Sequence, residues 1–132
     1  MEQIKLIEKL LEIRKYKEIK EILKEMNDVD VAEMLESFSD ENMIRIFRLL
    51  PKDDAADIFA YMSSDREHAL IDSLTNKELE NIINDLYSDD VMELLEELPA
   101  NVVKRIIAAS NPETRRDINH YYAILKILQV VI

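Results

Sequence analysis

Glycine is absent from the 132 residues, and so is cysteine. Without glycine there is no phosphate-cradling glycine loop, and tight two-residue hairpins lose their preferred residue. Without cysteine there is no disulfide frame, no thiolate ligand and no thiol nucleophile. No apolar run reaches the length of about 18 residues that reads as a membrane-spanning helix. The opening Met1-Glu2-Gln3-Ile4-Lys5 is not a signal peptide. Positive charge is scarce: 17 Lys and Arg stand against 28 Asp and Glu, a net charge of −11. That balance argues against nucleic acid and anionic membrane surfaces, and favours cations or basic partners. The chain reads as one soluble, cytoplasmic domain with a modest extended core.

What is present is a repeat. From Val31 to Ser110 one pattern recurs every twelve residues, with units beginning at Val31, Met43, Ala55, Glu67, Leu79, Val91 and Val103. Three, four and seven places further on stand apolar residues: Met34, Leu35 and Phe38 in the first unit, Ile58, Phe59 and Met62 in the third. All but Glu67 and Ser110 of these slots are apolar, where an overall apolar content of 48% would fill about half. The spacing i, i+3, i+4, i+7 is one face of an α-helix.

A single helix cannot carry that stripe, because twelve residues at 100° each leave successive stripes about 120° apart. The chain must turn between units. Each unit is expected to be a helix of about eight to ten residues, stable only through packing on its neighbours. The expected fold is all-α, a right-handed superhelix or solenoid of short helices with a 12-residue repeat. Residues 1–28 form a helical lead-in, with Ile4, Ile7, Leu10, Leu11 and Arg14 as a first stripe and Tyr16, Ile19, Ile22, Leu23 and Met26 as a second. Residues 29–118 hold the repeat, and 119–132 a divergent apolar tail. That tail needs burial against the last units or against another copy, which would make a homodimer through it.

Turn chemistry supports the register. Ser64–Glu67 and Thr75–Glu78 fit a capping box, which would explain an acid in the Glu67 slot. Ser39, Ser88 and Asn111 are expected N-caps, and Pro51, Pro99 and Pro112 suit first turns. Asn27-Asp28-Val29-Asp30 reads as a turn and N-cap cluster.

Catalysis finds no foothold. His68 and His120 lack a spaced nucleophile or ligand companion, and both read as structural or surface residues. The six methionines read as core filling. We therefore expect no enzyme. The acids are more informative. Two residues before and after each first slot point away from the stripe, one turn apart. Only two units carry two carboxylates there: Asp53 with Asp57, and Asp89 with Glu93, thickened by Asp54 and Asp90. Glu41/Arg45 occupies the same positions as an ordinary ion pair. Like charges one turn apart cost a few tenths of a kcal/mol without a counter-ion. The helix dipole offsets this near a first turn, and accounts for such acids without any ligand.

The stretches Leu49-Leu50-Pro51-Lys52-Asp53-Asp54-Ala55-Ala56-Asp57-Ile58-Phe59 and Ser88-Asp89-Asp90-Val91-Met92-Glu93-Leu94-Leu95-Glu96-Glu97-Leu98-Pro99 resemble the cytosolic N-terminal domain of MgtE-type magnesium transporters, over about residues 29–118. The resemblance implies docking on paired CBS domains, with Mg2+ between the domains favouring a closed pore. By position, Asp57 matches the acid after the family's Ala-Ala pair, and Asp89 and Glu93 its later acidic pair. The expected metal residues are thus Asp57, Asp89 and Glu93, joined by Asp53 from its place one turn before Asp57 on the outward face, with Mg2+ held weakly and a partner domain needed. Members continue into CBS domains and membrane helices, whereas Tyr121-Tyr122-Ala123-Ile124 does not. The chain is then a truncated form, a stand-alone paralogue or a frameshifted remnant, and meets the membrane only through a parent transporter. The competing expectation is a metal-independent interaction solenoid related to flagellar motor switch FliG-type domains, whose motor-facing charges would be mixed in sign.

Overall fold

The computed structural model describes residues 2–131, without the side chains of Ser88, Glu97 and 125–131. The described residues form ten helices and no strand: α1 (Glu2–Glu12), α2 (Tyr16–Lys24), α3 (Asp28–Leu35), α4 (Asp40–Phe47), α5 (Lys52–Tyr61), α6 (Ser64–Ser73), α7 (Asn76–Asp85), α8 (Ser88–Glu97), α9 (Ala100–Ala109) and α10 (Pro112–Val131). No helix among them is long and apolar enough to cross a membrane. Helices α3 to α9 have eight to ten residues, as the repeat demands.

No repeat slot is exposed. Ala55, Leu86, Leu98, Val103 and Ile107 are half-buried and every other slot is buried. One feature differs from a simple helical stripe. The fourth slot lies just beyond each helix, at Phe38, Leu50, Met62, Leu74, Leu86, Leu98 and Ser110. At Met62, Leu86, Leu98 and Ser110 the backbone has already turned extended, with ψ between 147 and 158°. The next residue is the one that precedes the following helix, so this apolar side chain anchors the link itself. Proline enforces the break at Leu50 and Leu98, because the residue before proline avoids the α region.

Two compact units, Met1–Ser73 and Leu74–Ile132, divide the chain. In the first, α1 packs on α2, α3 on α5 and α4 on α6. Ala32 and Ala56, one place past the first slot of α3 and α5, are buried at 2% and 3% exposure, so small side chains widen the packed face of this pair. Phe47 and Phe59 meet edge to face, their ring centroids 6.4 Å apart. In the second unit α7 packs on α9 and α8 on α10.

Helix ends show what the missing glycine costs. The last carbonyls of a helix have no partner within it, and glycine in a left-handed cap is the usual remedy. Here a left-handed residue occurs once among the described residues, at Arg14 with φ 57°. It closes α1 in a Schellman motif, with Lys15 N–H on the Leu10 carbonyl (2.9 Å) and Arg14 N–H on that of Leu11 (3.2 Å). Arg14 is therefore a cap and not part of the first stripe. Arginine side chains also reach carbonyls at and just beyond helix ends. Arg45 donates to Leu11 O (3.3 Å), Arg48 to Ser73 O (3.1 Å), Arg66 to Glu36 O (3.0 Å), Arg115 to Ser110 O (2.7 Å), and Arg105 to Leu74 O.

Helix starts confirm some caps and shift others. Asn27, Ser39, Thr75 and Asn111 accept from the amide three residues on, at 2.8 to 3.2 Å. Thr75 and Glu78 form the capping box. Ser64, expected as a cap, is the first residue of α6. Ser63 precedes the first helical residue, and its N–H and hydroxyl both go to the Glu36 carboxylate, at 3.0 and 3.1 Å. A distant acid thus serves the residue just before the helix. Pro51 and Pro99 are N-cap residues, one place before the helix, while Pro112 opens α10. Arg45 does not pair with Glu41; it donates to Leu11 O, to Tyr16 and to Asn42. Buried Ser110 is satisfied by donating to Ile106 O at 2.8 Å. In the tail, Ala123 and Ile124 are exposed, and the expectation for 125–132 lies outside the described side chains.

Candidate metal-facing helix starts

The helices that carry the acidic pairs share a local feature. The N-cap residues of α5 and α8 are Pro51 and Tyr87, and neither makes a side-chain cap hydrogen bond. First-turn amides left without a cap favour nearby carboxylates. Asp53, Asp54, Asp89 and Asp90 stand in those first turns. Helix stability alone therefore explains them. It explains Asp57 and Glu93 less well, because both lie in the second turn, where the dipole effect has fallen away.

Asp53, Asp57, Asp89 and Glu93 are all exposed, while Asp54 and Asp90 are half-buried. None of the four exposed acids has a hydrogen bond or ion pair among the described residues, so none serves packing. Asp53 and Asp57 belong to the first unit, and Asp89 and Glu93 to the second. Among the described residues no three His, Cys, Asp or Glu side chains are grouped tightly enough to hold a metal ion. Each helix start offers one or two carboxylate donors. That suits an ion such as Mg2+, which takes oxygen ligands and keeps several waters, provided further donors come from elsewhere.

The packing of α3 on α5 adds a residue that the sequence reading left in a turn. Half-buried Asp28, at the start of α3, has its carboxyl pushed above the ordinary range, first by burial and then by the charges of Asp54 and Asp57. Three acids from two helices share one field. No spacing in the sequence signals this, since Asp28 reaches its neighbours only through the tertiary pairing. His68, by contrast, sits on the α6 surface 3.4 Å from Asp72, one turn on. His120 is exposed on α10.

A glycine-free, all-helical domain of short helices with acidic, outward-facing helix starts is the class defined so far. Residues 26–123 match the family described as the MgtE intracellular N domain, and the chain belongs to that family. No curated protein matches the sequence. Two solved structures share the fold. One is the cytosolic domain of the Mg2+ channel MgtE in complex with ATP, with a TM-score of 0.74 and 22% identity, covering 86% of this chain and 47% of that one. The other is the soluble part of a magnesium transporter, with a TM-score of 0.76 and 16% identity, covering 90% and 47%. The chain thus spans about half the length of each.

Proposed function

We propose that this chain is a regulatory, magnesium-sensing domain of a magnesium transporter or channel. It docks on CBS domains of that transporter through Mg2+ bridged by acidic residues, and docking favours a closed pore. The observation that carries this reading is family membership over residues 26–123, together with exposed acids at Asp57, Asp89 and Glu93 that neither pack nor pair. Asp53 completes the first helix start. Each carboxylate supplies one or two oxygens to a hydrated ion, and the partner supplies the rest. Such a site is weak in the isolated chain. It responds to magnesium because the docked state offers more ligands than the released one, and a ligand shifts an equilibrium only by its differential affinity.

The test is a magnesium titration of protease protection on the chain assembled with its CBS-containing transporter. The variant Asp89→Asn/Glu93→Gln should need several-fold more magnesium to reach half protection. Superimposable curves would remove these residues from the site. Docking that ignores magnesium altogether would favour the metal-independent interaction solenoid.

A further inference from the structure

On a chain of net charge −11, α2 presents a row of cations. Lys17, Lys20 and Lys24 are exposed and line one side of an open groove of about 370 Å3, whose apolar floor is Leu49, Leu50 and Pro51. Glu21 also lines the groove, and the lysines outnumber it. The lysines are spaced three and then four residues apart, so they share one face of the helix. Nothing in the magnesium reading uses them.

The chain also carries the complementary row. Asp89, Glu93 and Glu96 are exposed on α8, spaced four and then three. Set antiparallel, the two rows coincide: Lys24 faces Asp89, Lys20 faces Glu93 and Lys17 faces Glu96. The axial steps match at about 6 and 4.5 Å, at 1.5 Å per residue. Half-buried Met92 lies beside the acidic row, an adaptable apolar side chain for the floor of the groove. Glu96 already accepts the Tyr121 hydroxyl, but a carboxylate has further lone pairs to offer an ammonium.

We propose that the α2 groove of one chain receives the acidic face of α8 from a second copy, in an antiparallel helix-to-helix contact. Exposed ion pairs are individually weak, so the association is reversible and salt-sensitive. Raising the salt from about 0.1 to 1 M shortens the screening length from roughly 10 to 3 Å and should abolish it. The contact is heterologous, joining different surfaces of the two copies.

Charge reversal in sedimentation velocity tests this. Wild type at ~0.1 M salt should show a mass rising with concentration above the 15.5 kDa monomer. Lys17→Glu/Lys20→Glu/Lys24→Glu alone and Asp89→Lys/Glu93→Lys/Glu96→Lys alone should each stay monomeric. Mixed, they should associate again. The corresponding Gln and Asn variants, which perturb the helices less, should each weaken wild-type association by at least tenfold. A wild type that is monomeric throughout overturns the proposal. So does a wild type that associates when the complementary mixture does not, since the contact then lies elsewhere. Asp89 and Glu93 belong to both readings, so the lysines, which take no part in the magnesium site, separate them: a lysine variant that stays monomeric with an unchanged magnesium titration supports this contact, and a wild type that is monomeric throughout leaves the sensor reading standing.

Discussion

In Met1–Ser73 the amide that precedes α6 donates to the carboxylate of Glu36, and in Leu74–Ile132 the amide that precedes α10 donates to the side-chain oxygen of Asn84, both at 3.0 Å. The donors, Ser63 and Asn111, stand at the same position of the repeat, as do the acceptors. The backbone demand is identical; the chemistry that meets it is not. The charged acceptor gathers a cation. Arg66 lies 3.7 Å from Glu36 Oε2 and also donates to Asp40 at 3.0 Å. Among the described residues the neutral amide collects no such network, and Arg105 in that unit donates to Asn76 at 3.2 Å and to Leu74 O. The repeat therefore dictates where a staple must stand, and leaves its charge free.

The largest test of this equivalence is in the cores. Ile58 and Leu70 in the first unit, and Ile82 and Leu94 in the second, are all at most 6% exposed. Replacing any one with Ala should cost about 2–4 kcal/mol in chemical denaturation, through lost transfer energy and a cavity. Losses below about 0.5 kcal/mol at all four would break the register on which the comparison stands.

The staples should differ next. Glu36→Ala should cost about 1–2 kcal/mol, and Asn84→Ala about 0.5–1 kcal/mol, because bonds to a charged group contribute more. Salt of about 1 M should shrink the first cost and leave the second. Equal salt dependence in urea melts would show that the charge of Glu36 is idle.

A smaller effect of opposite sign is expected at Arg14. Its left-handed backbone costs a non-glycine residue about 1–2 kcal/mol, partly offset by the chain entropy of glycine. Arg14→Gly should therefore stabilise the first unit by about 0.5–1 kcal/mol, and a loss of stability would mean that the side chain holds more than the cap.

The smallest effect separates the acidic helix starts. Asp28 has a raised folded pKa, so its charge opposes folding at neutral pH, and that penalty fades as pH falls toward the ordinary carboxylate value. Asp28→Asn should raise Tm slightly at pH 7, with the gain disappearing near pH 4. Magnesium at a few millimolar should stabilise wild type more than this variant. A gain that is flat with pH would show that neither burial nor the Asp54 and Asp57 charges raise the Asp28 carboxyl.

The all-helical fold, the helix lengths and the buried slots were legible in the sequence, because a twelve-residue period at 100° per residue leaves no other way to bury one stripe per unit. The exposure of Asp53, Asp57, Asp89 and Glu93 was legible for the same reason, from their angle to that stripe. Three things were not. The fourth slot left the helix because the next N-cap claims the chain there, a competition that periodicity does not register. Glu36 took the amide and hydroxyl of Ser63 because helices distant in sequence pack side by side. Asp28 joined Asp54 and Asp57 only where α3 meets α5. Angular periodicity is a local property of the chain, and the sequence carries it in full; which carbonyl, amide or carboxylate stands opposite another is decided by helix pairing, and only the tertiary structure holds that.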